Sequence, residues 1–371
     1  MIKVLQVFNR LNQGGIEHVV INLMKNMDSS QVEFHFAMMS GQRGLLDDQV
    51  KAMGGKIYYF SSGDKSLSNV RHNLEDIIKN YGPFHVVHSH VYFFSGYVLY
   101  IAKKMGVPVR IAHAHDVYKG EQRNFKRKVY EYVMQQMINK YATYKFGVSQ
   151  AAIKHVFGKK TANAFVVNNG INISSYVVND QIRKQYRNWL GVKNNETLLC
   201  NVGRFESQKD HDYLISIFSS LQKINSQFKL VLVGNGSLKN KIEKRVFALN
   251  LKDKVIFLQN RNDINNILMA ADMFIMPSKY EGLPLSLVEA QASGMTCLIS
   301  KNITDEIKIC PNVYSLGKDS INKWVNFMIN HRYDQRLDNA KRLDKAGFNE
   351  KSIARFVERK YSSVFSGNYI K

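Results

Sequence analysis

Two glutamates eight residues apart, Glu281 and Glu289, stand in the run Ser278-Lys279-Tyr280-Glu281-Gly282-Leu283-Pro284-Leu285-Ser286-Leu287-Val288-Glu289. The apolar stretch Met273–Met276 just before it reads as a buried strand, so the run is a strand-end loop passing into a helix. Gly282 lets the backbone approach a ligand, Pro284–Ser286 opens the helix toward it, and Glu289 falls about one turn in. Carboxylates accept hydrogen bonds from vicinal hydroxyls, and a helix N-terminus favours a phosphate. A ligand with hydroxyls at both ends and phosphates between them, as in a sugar nucleotide, satisfies both.

Three other loops carry candidate chemistry. Asn201-Val202-Gly203-Arg204-Phe205-Glu206-Ser207-Gln208-Lys209 follows a strand and holds two cations; a forked guanidinium with a point-charge ammonium suits a diphosphate leaving group, although either alone could be a solvated surface cation. Asp210-His211-Asp212 has the D-x-D form that can hold a divalent metal. It also opens the helix Tyr213–Leu221, where aspartate is a routine cap, and the cap is the reading taken. The first strand, Ile2–Phe8, ends in Asn9-Arg10-Leu11-Asn12-Gln13-Gly14-Gly15-Ile16-Glu17. Paired glycines before a helix let amides approach an anion, but the loop is neither G-x-G-x-x-G nor a P-loop with its lysine. His88, His90, His113 and His115-Asp116 sit at strand ends, where a histidine is more often structural than a ligand.

These loops need a scaffold, and the 371 residues are enough for two domains. Hydrophobic residues make up 45% and prolines number 5, which excludes a disordered or collagen-like chain. Three cysteines with no C-x-x-C pair argue against a disulfide scaffold or cysteine zinc site and make a reducing cytoplasm the default. No apolar run reaches the roughly 18–20 residues of a membrane span, and MIKVLQVF is read as a strand rather than a signal peptide. Short β-rich runs alternate with helical patterns from end to end, which predicts two doubly wound parallel α/β domains facing across a cleft. Strand signal stops around Ser174–Arg183 and resumes at Thr197, setting domains of 1–178 (with a returning C-terminal helix, about 350–371) and 179–349. The net charge is +22, and the stretch 119–160 alone has 10 basic and 2 acidic residues. There, Lys119, Arg123, Lys126, Arg127 and Lys128 precede Tyr130, Tyr132, Met134, Met137 and Ile138, read as a helix with one buried stripe and a basic opposite face. Such a face is either simply solvated or meets a polyanion; without zinc-finger spacing or an RNP-like run, lipid or a phosphate-rich acceptor is favoured over nucleic acid.

The chain resembles GT-B glycosyltransferase family 4, the retaining nucleotide-sugar enzymes, over nearly its whole length. The resemblance rests on Gly-Gly-x-Glu at 14–17, Gly-Arg…Lys at 203–209, E-x₇-E from Glu281 to Glu289, Asn169-Gly170, and Val233-Gly234-Asn235-Gly236. It implies the GT-B fold of two Rossmann-like domains, a donor-binding second domain and an acceptor-binding first. It implies that Arg204 and Lys209, beside Gly203, bind the donor pyrophosphate and stabilise leaving UDP. By the same token Glu289 holds the ribose, and Glu281 with the turn Gly282, Leu283, Pro284, Leu285 and Ser286 holds the sugar. Gly14 and Gly15, with Glu17, would approach the phosphate or acceptor, and Asn260 with Arg261 would meet the base, although family members often have glycine where Gln259-Asn260 stands. His115 would contact the sugar near the scissile bond, with His113 as the alternative alignment and His88 and His90 as cleft-wall residues. No divalent metal and no cofactor beyond the UDP-sugar donor is expected.

The resemblance further implies transfer of a hexose or N-acetylhexosamine to a saccharide or lipid-linked acceptor for capsule, exopolysaccharide or wall polymer. The enzyme is expected to be cytoplasmic, held peripherally on the anionic inner face of the membrane through 119–160. Two alternatives stand beside it: a UDP-sugar 2-epimerase of the same fold, and a non-enzymic polyanion-binding protein.

Overall fold

The computed structural model describes residues 1–12, 15–61, 66–115, 124–259, 261–281, 283–333 and 335–366. The chain forms two compact units, Met1–Gly170 with Glu350–Lys371, and Ile171–Asn349. The crossing at Gly170 comes ahead of the expected 178/179. Ile171 and Ile173 are buried with Cys200 and Leu287 in the second unit's core, and the Ile171 amide donates to the Phe348 carbonyl at 2.8 Å. The residue before them must be glycine-like: a Cβ on Gly170 would lie 2.8 Å from the Glu350 Cα.

The first unit is built on seven parallel strands: β1 (Ile2–Phe8), β2 (Val32–Met38), β3 (Lys56–Tyr59), β4 (Val86–Ser89), β5 (Val109–Ala114), β6 (Tyr144–Gly147) and β7 (Ala164–Val166). Their order is β3-β2-β1-β4-β5-β6-β7. Both faces are covered, which is why β1 is apolar at nearly every position. Val4, Phe8, Val86 and Ile111 pack with Ile353, Val357 and Tyr361 of the helix Glu350–Tyr361 on one face. Leu5, Val7, Val87 and Ala112 pack into a separate core on the other. The terminal segment, read as one helix to Phe365, is two: Glu350–Tyr361 and Ser363–Ser366.

In the second unit β8 (Thr197–Val202), β9 (Phe228–Val233), β10 (Val255–Leu258), β11 (Met273–Met276), β12 (Thr296–Ser300) and β13 (Val313–Leu316) lie in the order β10-β9-β8-β11-β12-β13, again all parallel. Two strands, β7 and β13, had no strand reading in the sequence. Both are short sheet edges with half-covered side chains, β7 being only three residues long.

In each unit the strand order reverses once, between β1 and β4 and between β8 and β11. At such a point the connections leave to opposite sides and a crevice opens at the carboxyl ends of the strands. The ladder between β8 and β11 pairs Leu199 with Met273 and Cys200 with Phe274, and then stops. Beyond it the Asn201 side chain takes over, donating from Nδ2 to the Ile275 carbonyl at 2.7 Å.

The helix Phe125–Tyr141 corrects the expected stripe. Met134 and Ile138 are buried as read, but Tyr132 is 64% exposed, as is Phe125 at 80%, and Glu131 takes a buried place instead. Arg127 holds Glu131 at 2.8 Å, which allows the carboxylate to turn inward. Lys119 and Arg123 lie outside the described residues. Among the described residues no helix is long and apolar enough to cross a membrane.

Candidate active site

The loops after β8 and β11 meet at the reversal of the second sheet. Lys209 Nζ lies 2.8 Å from Glu281 Oε1, with side chains 13% and 6% exposed. The approach lies outside hydrogen-bond geometry, so the attraction is Coulombic and Oε1 keeps its hydrogen-bonding capacity. The other oxygen accepts from Gln208 Nε2 at 3.3 Å, and Gln208 also donates to the Tyr280 carbonyl. Two further bonds stitch the loops: the Lys279 amide to the Gln208 carbonyl at 2.8 Å and Lys279 Nζ to Ser207 Oγ at 3.0 Å. Sequence reading gave Lys209 and Glu281 separate partners; the fold sets them against each other.

The stem of Lys209 lies against Gly203, where an added Cβ would sit 3.0 Å from the lysine Cε and push the stem aside by a few tenths of an ångström. The loop after β9 packs still closer: a Cβ on Gly234, at φ +147°, would lie 2.1 Å from the Gly203 carbonyl oxygen. Glu206 ties the two together by accepting from the Ser237 amide and hydroxyl at 2.9 and 2.8 Å, bonds that hold its carboxyl below the usual range. Arg204 is exposed; its carbonyl accepts from the Glu206 amide at 2.8 Å, and its guanidinium forms no hydrogen bond or ion pair among the described residues. The result is a backbone-braced loop that carries both the exposed Arg204 and, five residues on, the lysine of the buried ammonium–carboxylate pair.

Gly282 lies outside the described residues. Leu283 and Leu285 pack against the second unit's core, and Pro284 is the N-cap of the helix Leu285–Ala292, which has no side-chain cap bond among the described residues. The first amides of that helix, Leu285 and Ser286, therefore supply the partial positive charge that favours an anion. Glu289 is in the second turn. Burial pushes its carboxyl up, while a hydrogen bond from the Tyr176 hydroxyl opposes this. Tyr176, from the short turn Ile173–Tyr176, gave no sequence signal as a partner of Glu289.

Asp210 occupies the N-cap position of the helix His211–Ile224, but in a left-handed conformation and with no side-chain cap bond. Asp210 and the first-turn Asp212 thus stand where they were read, at a helix start, but without the cap bond: the Asp210 carboxylate is taken by Lys318, and Asp212 by Lys241 at 3.1 Å and Arg245 at 2.7 Å. His211 turns inward to stack on Phe205 at 4.3 Å, and burial lowers its pKa to about 4. Asn260 lies outside the described residues. Arg261 is held by Asp263 at 2.8 and 2.5 Å and stacks over Trp189, and among the described residues no hydrogen bond or ion pair joins it to the Lys209–Glu281 group. A cavity of about 510 Å³ lined by Arg183, Arg187, Thr197 and Asp272 opens at the amino ends of β8 and β11, the wrong end of a parallel sheet for a ligand. Its arginines are occupied by Asp272 at 2.6 and 2.9 Å.

In the first unit Gly14 and Asp116 lie outside the described residues. Gly15 opens the helix Gly15–Asn26, and Glu17 in its first turn accepts from the Asn12 amide at 3.3 Å, bracing the loop after β1. His88, His90, His113 and His115 converge at the β1/β4 reversal. His88 Nε2 meets His113 Nδ1 at 3.2 Å, and His90 Nδ1 meets His115 Nε2 at 2.8 Å. Burial drives the pKa of all four down, with neighbouring rings adding to it for His88, His90 and His115. The sequence left open which of His113 and His115 reaches a ligand. His113 is fully enclosed in the β5 strand, whereas His115 follows the strand end and is partly exposed as a residue, with its Nδ1 turned to a buried position.

Comparison with known proteins bears on both units. Residues 13–175 match the family described as Glycosyltransferase Family 4, and residues 182–306 the one described as Glycosyl transferases group 1. The chain is 34% identical over 310 residues to the glycosyltransferase named EpsF of Bacillus subtilis (strain 168), spanning 82% of this chain and 80% of EpsF. It is 29% identical over 327 residues to the capsular polysaccharide biosynthesis glycosyltransferase CapH of Staphylococcus aureus, spanning 83% and 84%. Among solved structures, Anabaena HepE in complex with UDP and glucose superposes with a TM-score of 0.78 over 98% of this chain and all of that one, at 17% identity. That likeness is one of fold.

Proposed function

Because the chain belongs to the family 4 glycosyltransferases of GT-B fold, we propose that it is a retaining enzyme that moves a hexose or N-acetylhexosamine from a UDP-sugar to a saccharide on a lipid carrier. The observation that carries this reading is the grouping of Arg204, Lys209 and Glu281 with a helix N-terminus that has no side-chain cap bond among the described residues, at the β8/β11 reversal. Cations and helix amides suit the diphosphate, and the carboxylate suits the hydroxyls of the sugar. Glu289 and Tyr176 form the group for the ribose. His115, from the first unit, is assigned to the transferred sugar, and Arg261 to the base through its backbone, since its guanidinium is taken by Asp263.

The bond from the anomeric carbon to the diphosphate oxygen breaks, and the acceptor hydroxyl oxygen bonds to that carbon on the same face. The hydroxyl proton leaves on the departing diphosphate, whose growing negative charge Arg204 and Lys209 stabilise. None of these steps calls for a divalent metal. The names of CapH, for capsular polysaccharide, and of HepE bound to UDP support the choice of polymer and donor.

We place the acceptor at the cytoplasmic face of the membrane. On the helix Phe125–Tyr141, Phe125, Val129, Tyr132 and Val133 are exposed apolar side chains beside exposed Lys126 and Lys128. Apolar groups beside lysines are what an anionic leaflet binds, at about 1 kcal/mol for each basic residue near the surface.

The test is nucleotide release from a panel of UDP-, GDP- and ADP-sugars, with and without EDTA, with membrane extract as acceptor. EDTA-resistant UDP release from one donor, dependent on the extract, is expected. Release from a GDP- or ADP-sugar would overturn the donor assignment, and loss of turnover in EDTA would overturn the metal-free step.

A further inference from the structure

The four histidines of the first unit belong to one hydrogen-bonded chain whose direction can be worked out. In the sheet register Gln6 of β1 pairs with His88 of β4, and Ser89 pairs with Ala112 of β5. The two-residue period of a strand therefore puts Gln6, His88, His90, His113 and His115 on one face, the face covered by the helix that carries Tyr361. Gln6 is the hub: its Oε1 lies 2.8 Å from His90 Nε2, and its Nε2 lies 3.0 Å from the Tyr361 hydroxyl, which lies 2.8 Å from His88 Nδ1.

An amide oxygen only accepts and an amide nitrogen only donates. His90 must then carry its proton on Nε2. Being neutral, it accepts at Nδ1 from His115 Nε2–H. On the other side, the Tyr361 oxygen accepts from Gln6, so its hydroxyl donates to His88 Nδ1, and His88 Nε2–H donates to His113 Nδ1. His113, accepting at Nδ1, then carries its proton on Nε2; the Val167 backbone favours a protonated ring, but Nε2 has no partner in hydrogen-bond geometry among the described residues. Every ring is assigned the same Nε2–H tautomer. Two buried ring atoms of this network are left over among the described residues, the Nε2–H of His113 and the lone pair of His115 Nδ1, and of these two residues His115 is the one at the strand end.

We propose that Gln6 and His90 are positioning residues that lock His115 as the Nε2–H tautomer, so that its Nδ1 can only accept a hydrogen bond, from a hydroxyl of the substrate. The identity of that hydroxyl as the donor sugar's rests on the reading of His115 given above; the tautomer does not. His88, His90 and His113 also lie close enough together to hold a metal ion. An ion there would have to strip the rings of the bonds to Gln6, Tyr361 and one another, so the hydrogen-bonded chain is the reading the contacts favour.

The experiment is long-range ¹H–¹⁵N correlation on the full chain labelled at histidine, at pH 7.5, with Gln6→Glu and Gln6→Leu beside the native protein. All four rings are expected as Nε2–H in the native chain. A carboxylate at position 6 accepts from both sides, so in Gln6→Glu His90 and His115 stay Nε2–H while His88 and His113 turn over to Nδ1–H. Gln6→Leu removes the anchor and mixes the tautomers of His90 and His115. With the donor found by the panel, Gln6→Leu is expected to lower kcat about tenfold at unchanged KM, the lower end of what a histidine's outer hydrogen-bond partner is worth, and Gln6→Glu to restore it. Nδ1–H on native His115, or one tightly held equivalent of zinc that moves the His88, His90 and His113 signals together, would overturn the proposal. Unchanged kcat in His115→Ala, with the Nε2–H signals in place, would instead overturn the assignment of His115 to the sugar and leave the tautomer standing.

Discussion

Replacing Lys209 by methionine separates what the ion pair does for the fold from what the ammonium does for the reaction. Methionine keeps the unbranched stem that crosses Gly203, so packing there is retained. What is lost is the charge 2.8 Å from a carboxylate that is 6% exposed. Glu281 would then keep one 3.3 Å hydrogen bond from Gln208. Removing one partner of a buried pair costs about 3–5 kcal/mol, and the Gln208 bond puts this case at the lower end, about 3. For a unit of about 180 residues each kcal/mol is worth roughly 2–4 °C, so the second unit should melt about 6–12 °C lower. Glu281→Gln should cost less, about 1 kcal/mol, because the freed ammonium can swing its flexible stem into water. The double variant should be more stable than the sum of the singles implies. Differential scanning calorimetry on the four proteins reads this asymmetry. UDP release reads the second effect: a preorganised cation facing the departing diphosphate is worth about 10²–10³ in kcat. A Lys209→Met melt within about 2 °C of the native one would refute the buried-pair argument. A large loss of stability with kcat held within about threefold would leave Lys209 as a structural residue and remove it from the reaction.

Four further outcomes follow. Arg204→Ala should lower kcat by about 10²–10³ with little change in melting, since among the described residues the guanidinium has no hydrogen bond or ion pair to lose; a lowered melt with normal kcat would contradict this. Tyr361→Phe removes a buried hydroxyl bonded to Gln6 and His88 and should cost about 1–3 kcal/mol by urea unfolding, against no measurable change if the network is idle. Native His113 titrates at about 3 and its three neighbours well below the usual range, while unfolded histidines take up protons near 6.5. Stability should therefore be full above pH 6.5 and fall as pH drops toward 3, by up to about 1.4 kcal/mol per pH unit for each ring; a urea midpoint flat from pH 7.5 to 5 would exclude it. Lys126→Glu with Lys128→Glu should release the protein from anionic vesicles in co-sedimentation, Arg127 mattering less because Glu131 holds it; unchanged sedimentation would exclude the membrane face.

The scaffold was legible wherever burial on both faces forces a continuous apolar run. β9, β11 and β12 fall most plainly in that class, whereas β4, β5 and β6 carry His88, Arg110, His113 and Lys145; β8 and β11 were found with their chemistry-bearing loops attached. Edge strands β7 and β13 were missed while the similarly half-covered edges β3 and β10 were read, so partial burial weakens the signal without abolishing it. The stripe on the helix Phe125–Tyr141 was misread for a related reason. Spacing identifies which residues share a face, but not that Tyr132 would stay outside while Glu131 turned inward with Arg127 beside it.

At the site, residue types were legible and their pairings were not. Gly203, Arg204, Lys209, Glu281 and Glu289 could be picked out because each sits in a loop whose preceding strand is unmistakable. That Lys209 and Glu281 touch depends on β8 lying next to β11, a fact of strand order that no local pattern carries. The histidines mark how far local pattern goes. His88-Ser89-His90 and His113-Ala114-His115 are two H-x-H pairs on strands, and the period of two already puts each pair on one face. Given that β1, β4 and β5 are adjacent and in register, Gln6 falls beside them, and five polar side chains on an enclosed face must satisfy one another or be left unpaired at a cost of about 1–3 kcal/mol each. What closes the chain is Tyr361, 355 residues from Gln6, brought there only because the C-terminal helix returns to the first sheet. The order of the rings is thus a tertiary property assembled from three legible fragments, and the tautomer of His115 depends on an amide at the opposite end of the sequence from the hydroxyl that completes its network.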